Sequence, residues 1–280
     1  MNLPKEIWDR IWLYCDYNTL ENTRGLQSKY IIKTTKYIDP GPAAIDGNLR
    51  NLKWLKQKNV VFNENTFSSG AFGGHLEVCK YLKEINCPWD YQTFSSAACS
   101  GNIQLLQWLK DNECPWEADT FEYAAKEGNV KVLEWLKENG CPWDAEVFAG
   151  AAFVGNLQSM KWLKENACPM DYTAISWAAK QGNLEIVKWL HENNCPWNNE
   201  IFAFAASSGN FELLKFLFEH GYGWNHHTFA IAAMLGNLEI LDWLKDNNCP
   251  WETNTFESIY PKLSADVKEW LKRLFSTKEC

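Results

Sequence analysis

The sequence predicts an all-α protein: an α-solenoid of about nine helix-turn-helix repeats, preceded by a small helical segment. Three observations support this prediction. A Gly-Asn or Gly-His pair recurs at intervals of 27 residues from Gly47 to Gly236. An aromatic residue, usually Trp, recurs at the same interval from Trp54 to Trp270. A Cys-Pro pair, first seen at Cys87, occupies a constant place in six repeats.

The stretch after each Gly-Asn pair predicts the second helix of a repeat. In "NLEIVKWL" the apolar residues fall at i, i+2, i+3, i+5 and i+6, which is typical of a helix buried over a wide arc. We expect Asn183 to cap this helix and Glu185 to stabilise its first turn. Gly182 should adopt a positive φ or allow close approach of two backbones. Pro142 and its equivalents are expected to end each second helix.

The stretch before each Gly-Asn pair, such as "DAEVFAGAAFVG", predicts a shorter first helix. Phe148, Ala151 and Ala152 should form its buried face, and Asp144 stands where an N-cap belongs. One repeat cannot bury its apolar face alone, so neighbouring repeats must stack into a continuous core. Pro40 should shorten the first helix of the first repeat, and the atypical last repeat is expected to act as a cap.

Composition and charge exclude several classes of function. The 280 residues are 46% hydrophobic and include 16 Trp, enough for a large core. A net charge of -8 argues against nucleic acid as a partner, because phosphate attracts a surplus of Lys and Arg. No run approaches the ~18 to 20 apolar residues of a membrane span, and charges stand where a signal peptide would be apolar. We therefore expect a cytoplasmic monomer that binds neither nucleic acid nor membranes.

The regularly spaced cysteines could be metal ligands, disulfides, redox centres or small buried apolar residues. Equivalent positions in stacked helices lie roughly 8 to 10 Å apart, whereas a disulfide needs Cα atoms within ~7 Å. Zinc needs about four ligands on one ion, and the sequence has no Cys-x-x-Cys pair. The residue after each Cys-Pro pair is an apolar Trp, or once Met, rather than a cation, which argues against a redox role. We expect a packing role.

Neither a cofactor site nor a catalytic site is predicted. His220, His226 and His227 are close in sequence, but His227 occupies a position that is polar in other repeats, and His226 and His227 are interpreted as a solvated helix start. A catalytic set would break the repeat pattern at one place with a Ser or Cys, a His and a carboxylate, and no repeat is broken in this way. Carboxylates such as Glu185 and Glu239 recur in register as surface charges. We expect no enzymatic activity, cofactor or metal.

The repeat resembles the ankyrin repeat, whose consensus carries A-A-x-x-G-H followed by a second helix ending in Leu-Leu. The matching positions are Ala178, Ala179, Gly182, Leu184, Ile186, Val187 and Leu190. The repeat has 27 residues rather than about 33 and lacks Thr-Pro-Leu-His, so long fingers are not expected. It is similar to a short class with Cys-Pro-Trp connectors expected in large DNA viruses and some protists. The resemblance implies a protein-binding module, in the host cytoplasm if the source is viral.

The positions flanking the Ala-Ala pair vary between repeats and provide candidate binding residues. They lie three or four residues apart on the first helix, opposite its Phe and Ala face. In ankyrin-like stacks this side lines the concave surface. Such residues either form an exposed apolar stripe, which usually marks a protein partner, or pack between repeats as core. The candidates are Tyr123, Lys126, Phe153, Trp177, Lys180, Phe204, Ile231 and Met234.

Residues 1–38 precede the repeat domain at 39–280 and resemble an F-box, the segment that docks on the adaptor subunit of cullin-type ubiquitin ligases. They match its opening L-P-x-E-[IL] and its central leucine but lack the usual third-helix signature. The docking residues would be Leu3, Pro4, Ile7, Ile11 and Leu20. The resemblance implies a substrate-recruiting adaptor. The alternative is an ankyrin-like scaffold or competitive inhibitor without a ubiquitin link, in which this segment only caps the first repeat.

Overall fold

The computed structural model describes residues 39–251 and 258–276, and the regular elements within these ranges are all helical. They form two compact units, one ending at Trp143 and the other beginning at Asp144. The helices of the N-terminal unit are α1 (Gly41–Ile45), α2 (Leu49–Gln57), α3 (Glu64–Phe72), α4 (Leu76–Glu84), α5 (Tyr91–Ser100), α6 (Ile103–Asp111), α7 (Ala118–Glu127) and α8 (Val130–Glu138).

The helices of the C-terminal unit continue the same pattern. They are α9 (Ala145–Val154), α10 (Leu157–Glu165), α11 (Tyr172–Lys180), α12 (Leu184–Glu192), α13 (Ile201–Ser208), α14 (Phe211–Glu219), α15 (His226–Leu235), α16 (Leu238–Asp246), a 3-10 turn (Tyr260–Lys262) and α17 (Ala265–Ser276). The all-α prediction is confirmed for the described residues. None of the helices in these ranges is both long enough and apolar enough to cross a membrane.

Each repeat contributes one first helix and one second helix, as predicted. Within each unit the first helices pack on one another in chain order, and each second helix packs on the first helix of its own repeat. The expected faces form the core: Phe148, Ala151 and Ala152 are at most 1% exposed, and Ile186 and Val187 are at most 2% exposed. The small Ala side chains let neighbouring helices pack closely, and this close packing excludes water from the apolar faces.

The predicted helix starts are confirmed. Asn183 Oδ1 accepts a hydrogen bond from the N–H of Ile186 at 3.1 Å, and Asp144 Oδ1 accepts one from the N–H of Glu146 at 3.0 Å. Gly182 has a φ of +70°, a conformation that other residues adopt at a cost. The first helix of the first repeat, α1, has 5 residues, as the neighbouring prolines suggested.

The ends of the second helices differ from the prediction, because a left-handed residue and not the proline stops each helix. In α8 the N–H of Cys141 donates to Leu136 O at 2.9 Å and that of Gly140 donates to Lys137 O at 3.1 Å. This pattern is a Schellman motif, in which the residue after the left-handed position is apolar. Pro142 lies beyond it. The equivalent left-handed residues are Asn59, Asn86, Glu113, Ala167, Asn194, Gly221 and Asn248.

In several connectors the tryptophan packs on the buried Phe of a first helix. The Phe67 and Trp89 rings have centroids 5.0 Å apart, and those of Phe94 and Trp116 are 4.9 Å apart. Both Phe side chains are at most 1% exposed. Tilted ring pairs at this separation add to the stabilisation from burial alone. The half-buried connector tryptophans therefore cover the edge of the core.

Candidate protein-binding face

The first helices of the C-terminal unit expose a surface that we call the first-helix face. Its side chains are Phe153, Val154, Trp177, Lys180, Met234 and Leu235, with Phe204 and Ile231 half-buried among them. Phe153 is 39% exposed, Trp177 38% and Met234 52%. Three of the apolar residues predicted from the sequence, Phe153, Trp177 and Met234, are thus exposed to solvent. Two others, Phe204 and Ile231, are half-buried.

Phe153 and Trp177 come together across two neighbouring first helices. Their ring centroids are 5.5 Å apart and the rings meet edge to face, with an interplanar angle of 89°. Lys180 lies one turn further along α11, and its Nζ is 4.5 Å from the centroid of the Trp177 ring. The three residues form a compact exposed group in which a cation borders an aromatic surface.

Tyr123 and Lys126 form a similar pair on α7 in the N-terminal unit, where Tyr123 is 45% exposed. Lys126 Nζ lies 5.3 Å from the centroid of the Tyr123 ring. The same ammonium group is 2.6 Å from Glu122 Oε1, one turn back on the helix. Its charge is therefore balanced within α7, unlike that of Lys180, which has no carboxylate partner among the described residues.

Two exposed residues of the first-helix face are absent from the sequence-based candidates. Val154 is 49% exposed and Leu235 is 54% exposed. Each is the second residue after an Ala-Ala pair and the last residue of its helix. The sequence shows that this position varies between repeats. It does not show whether the side chain is exposed, because an apolar residue at the end of a helix can also be buried against the following turn.

The first-helix face is almost free of ionised groups. In α9, α11, α13 and α15 the only Asp, Glu, Lys or Arg residues are Glu146 and Lys180. Glu146 lies in the first turn of α9, whereas the exposed apolar residues cluster near the C-terminal ends of these helices. An apolar surface bordered by a single cation is therefore the chemical character of this face.

A match to a family model agrees with this architecture. A family model described as ankyrin repeats matches three overlapping segments, at residues 121–200, 148–228 and 175–256. Together the matched segments cover residues 121–256. The crystal structure of the human ASB11 ankyrin repeat domain is similar at 22% identity and a TM-score of 0.47, over 64% of this chain and 97% of that one. No match was found among curated proteins.

Ankyrin repeats indicate a protein–protein interaction module. The connector cysteines of the described repeats have a structural role, because they pack in the interior. Cys141 is 6% exposed and Cys195 is 4% exposed. Their Sγ atoms donate to Glu117 O at 3.7 Å and to Asp171 O at 3.3 Å, the N-cap residues of first helices. Burial raises the pKa of the Cys141 thiol to about 12, so it stays protonated and unreactive at neutral pH. The predicted packing role is confirmed.

One repeat has Tyr222 where the other described repeats have Cys or Val. Tyr222 is buried, and its hydroxyl lies 2.9 Å from His191 Nδ1. The His191 and His220 rings have centroids 4.8 Å apart. His226 and His227 begin α15, as expected. Within the described ranges, no three or more His, Cys, Asp or Glu side chains are grouped so that they could hold a metal ion.

Proposed function

We propose that the chain binds a protein partner through the first-helix face of its C-terminal unit. The observation that carries this proposal is the exposed contact between Phe153 and Trp177, with the exposed Met234 further along the same row of helices. Large aromatic side chains on rigid helices lose little conformational entropy on binding and are common anchors of interfaces. Clustered exposed apolar side chains also mark contact sites more often than scattered ones do.

Affinity capture from the native cell tests this proposal. Proteins retained by the wild-type chain should be lost when Phe153 and Trp177 are both replaced by Ala. The melting temperature should change by only a few degrees, since both side chains are more than a third exposed. Val61→Ala is the matched control, because Val61 is 73% exposed but lies in the N-terminal unit. Retention of the same proteins by the double variant would contradict the proposal.

The finer proposal is that the chain recruits this partner to a cullin-type ubiquitin ligase. Its support is the F-box-like pattern of residues 1–38, which lie outside the described residues, and in particular Leu3, Ile7 and Ile11. Docking of this segment would raise the effective concentration of the partner near the ligase. The proposal involves no catalytic step in this chain and takes it to act as a cytoplasmic monomer.

A pull-down with the adaptor subunit of the ligase tests the finer proposal. The wild-type chain should retain the adaptor, and a variant with Leu3, Ile7 and Ile11 replaced by Asp should not. If the wild-type chain does not bind the adaptor, the ubiquitin link is wrong. The chain would then act as a scaffold or competitive inhibitor, with its first 38 residues serving as a cap.

A further inference from the structure

We infer that the first-helix face selects an extended segment of its partner in which an acidic residue lies close to a large apolar residue. This inference rests on the proposed function and specifies the chemistry of the partner. It follows from one difference between two similar pairs, Trp177 with Lys180 and Tyr123 with Lys126. In both pairs a lysine lies three residues after an aromatic residue and holds its ammonium group over the ring.

The two lysines differ in their charge balance. Glu122 stands four residues before Lys126 and forms an ion pair with it at 2.6 Å. The equivalent position before Lys180 is Ser176, which is 5% exposed and uncharged. Among the described residues Lys180 contacts only the Trp177 ring through its charged end. Lys180 is therefore an uncompensated cation at the edge of an apolar surface.

The acidic residue that caps the start of the same helix is too far away to compensate this charge. Asp171 caps the start of α11 and Lys180 ends it, so the two are nine residues apart. At about 1.5 Å per residue that is roughly 13 Å, beyond the Debye length of about 8 Å at physiological salt. Asp171 is also engaged by the N–H of Thr173 at 2.9 Å. A carboxylate from a partner is the group that would pair with Lys180.

The spacing of the face indicates how the partner segment is arranged. Neighbouring first helices lie roughly 8 to 10 Å apart, so the path from Phe153 on α9 to Met234 on α15 covers roughly 24 to 30 Å. An extended peptide at about 3.3 Å per residue needs roughly eight residues for this path. Lys180 Nζ is 4.5 Å from the Trp177 ring. An acidic residue two positions from the apolar anchor would meet Lys180, because side chains two apart share one side of an extended chain.

The overall charge makes this local cation decisive. The chain carries a net charge of -8, so its long-range field favours basic partners over acidic ones. Attraction of an acidic segment must therefore come from the few ångströms around Lys180. Charge reversal at this one position should remove the preference, and an equal charge change elsewhere on the surface should not.

Selection of displayed random peptides of about 12 residues tests the inference, since this length exceeds the path along the face. The full chain is used as wild type and as the variants Lys180→Glu, Lys161→Glu and Trp177→Ala. Lys161 is an exposed lysine of the second helix α10 and provides the same change of net charge away from the face. Wild type and Lys161→Glu should enrich peptides with Asp or Glu near an aromatic or large aliphatic residue. Lys180→Glu should lose the acidic preference.

A defined peptide pair makes the result quantitative. The most enriched peptide and its counterpart with Glu replaced by Gln, or Asp by Asn, are compared by fluorescence anisotropy. Loss of the carboxylate should weaken binding to the wild-type chain by about two- to fivefold, the range of an exposed ion pair. It should leave the affinity for Lys180→Glu unchanged or improved.

Three results would overturn the inference, and they separate it from the proposed function. Peptides that need Trp177 but show no acidic preference, or a basic one, would leave the binding face standing and remove its specificity for carboxylates. The same loss of preference in Lys161→Glu as in Lys180→Glu would show that net charge alone is responsible. If no enriched peptide depends on Trp177, both the inference and the proposed face are wrong.

Discussion

Replacing one buried threonine by valine should make the protein more stable. Four of the described first helices carry Thr at one equivalent position. In α7 its hydroxyl has a partner, because Thr120 Oγ1 lies 3.1 Å from Ser95 Oγ, 25 residues earlier. Thr228 of α15 is also 0% exposed, yet its Oγ1 has no hydrogen-bond partner among the described residues. The residue 25 positions before it is Ala203, which lacks a hydroxyl.

The magnitude follows from the cost of an unpaired buried hydroxyl, about 1 to 3 kcal/mol. Valine keeps the branched shape of threonine and replaces the hydroxyl with a methyl group. Thr228→Val should therefore raise the free energy of unfolding by about 1 to 2 kcal/mol. The same substitution at Thr120 breaks a formed hydrogen bond and should lower the free energy of unfolding by about 1 kcal/mol.

Urea unfolding followed by circular dichroism gives the free energy of unfolding from the midpoint and the slope. For a chain of this size, 1 kcal/mol corresponds to a shift of roughly 2 to 4 °C in melting temperature. Ala203→Ser should supply the missing partner of Thr228. In that background Thr228→Val should no longer stabilise, and a double-mutant cycle measures this coupling.

The reasoning is refuted if Thr228→Val and Thr120→Val change the stability in the same direction. Equal effects would mean that the substitution acts within its own helix and not through the residue 25 positions earlier. Helix propensity itself contributes little, because it is nearly the same for Thr and Val. A gain from Thr228→Val that survives unchanged in the Ala203→Ser background would refute the pairing in the same way.

Three further predictions concern the helix ends, a second buried hydroxyl and the thiols. Ala167 is left-handed, with a φ of 59°, so Ala167→Gly should raise the free energy of unfolding by about 1 kcal/mol and Gly140→Ala should lower it similarly; equal urea midpoints would contradict this. Ser159 Oγ is buried without a partner in the described structure, so Ser159→Val should raise the melting temperature by about 3 °C. An unchanged melting temperature in differential scanning fluorimetry would contradict this prediction. Burial raises the pKa of Cys141 from 9.0 to about 12, so the unfolded thiol ionises first and the free energy of unfolding should fall as the pH rises from 9 towards 12. Cys141→Val should make that fall, measured by urea unfolding, less steep.

The repeating features of this protein were predictable from the sequence because each repeat meets the same surroundings as its neighbours. Asn183 caps a helix, Phe148 is buried and Cys141 packs as an apolar residue, all as the 27-residue period indicates. The proline of the connector misled the prediction of the helix end. Gly140 in the left-handed region ends the chain of helical hydrogen bonds earlier, and its equivalents include Asn, Glu and Ala, which conceal the signal.

Contacts that occur in single repeats were decided only by the tertiary structure. Ser95 pairs with Thr120, 25 residues later. The residue 25 positions after Ser176 is Ile201, which has no hydroxyl, so Ser176 Oγ is buried without a partner in the described structure. Lys126 is neutralised by a glutamate, whereas Lys180 is not. A period reports what repeats have in common, and so it determines the fold and the core. A hydrogen bond or ion pair depends on which two side chains meet across adjacent helices, and only the packed structure places both of them.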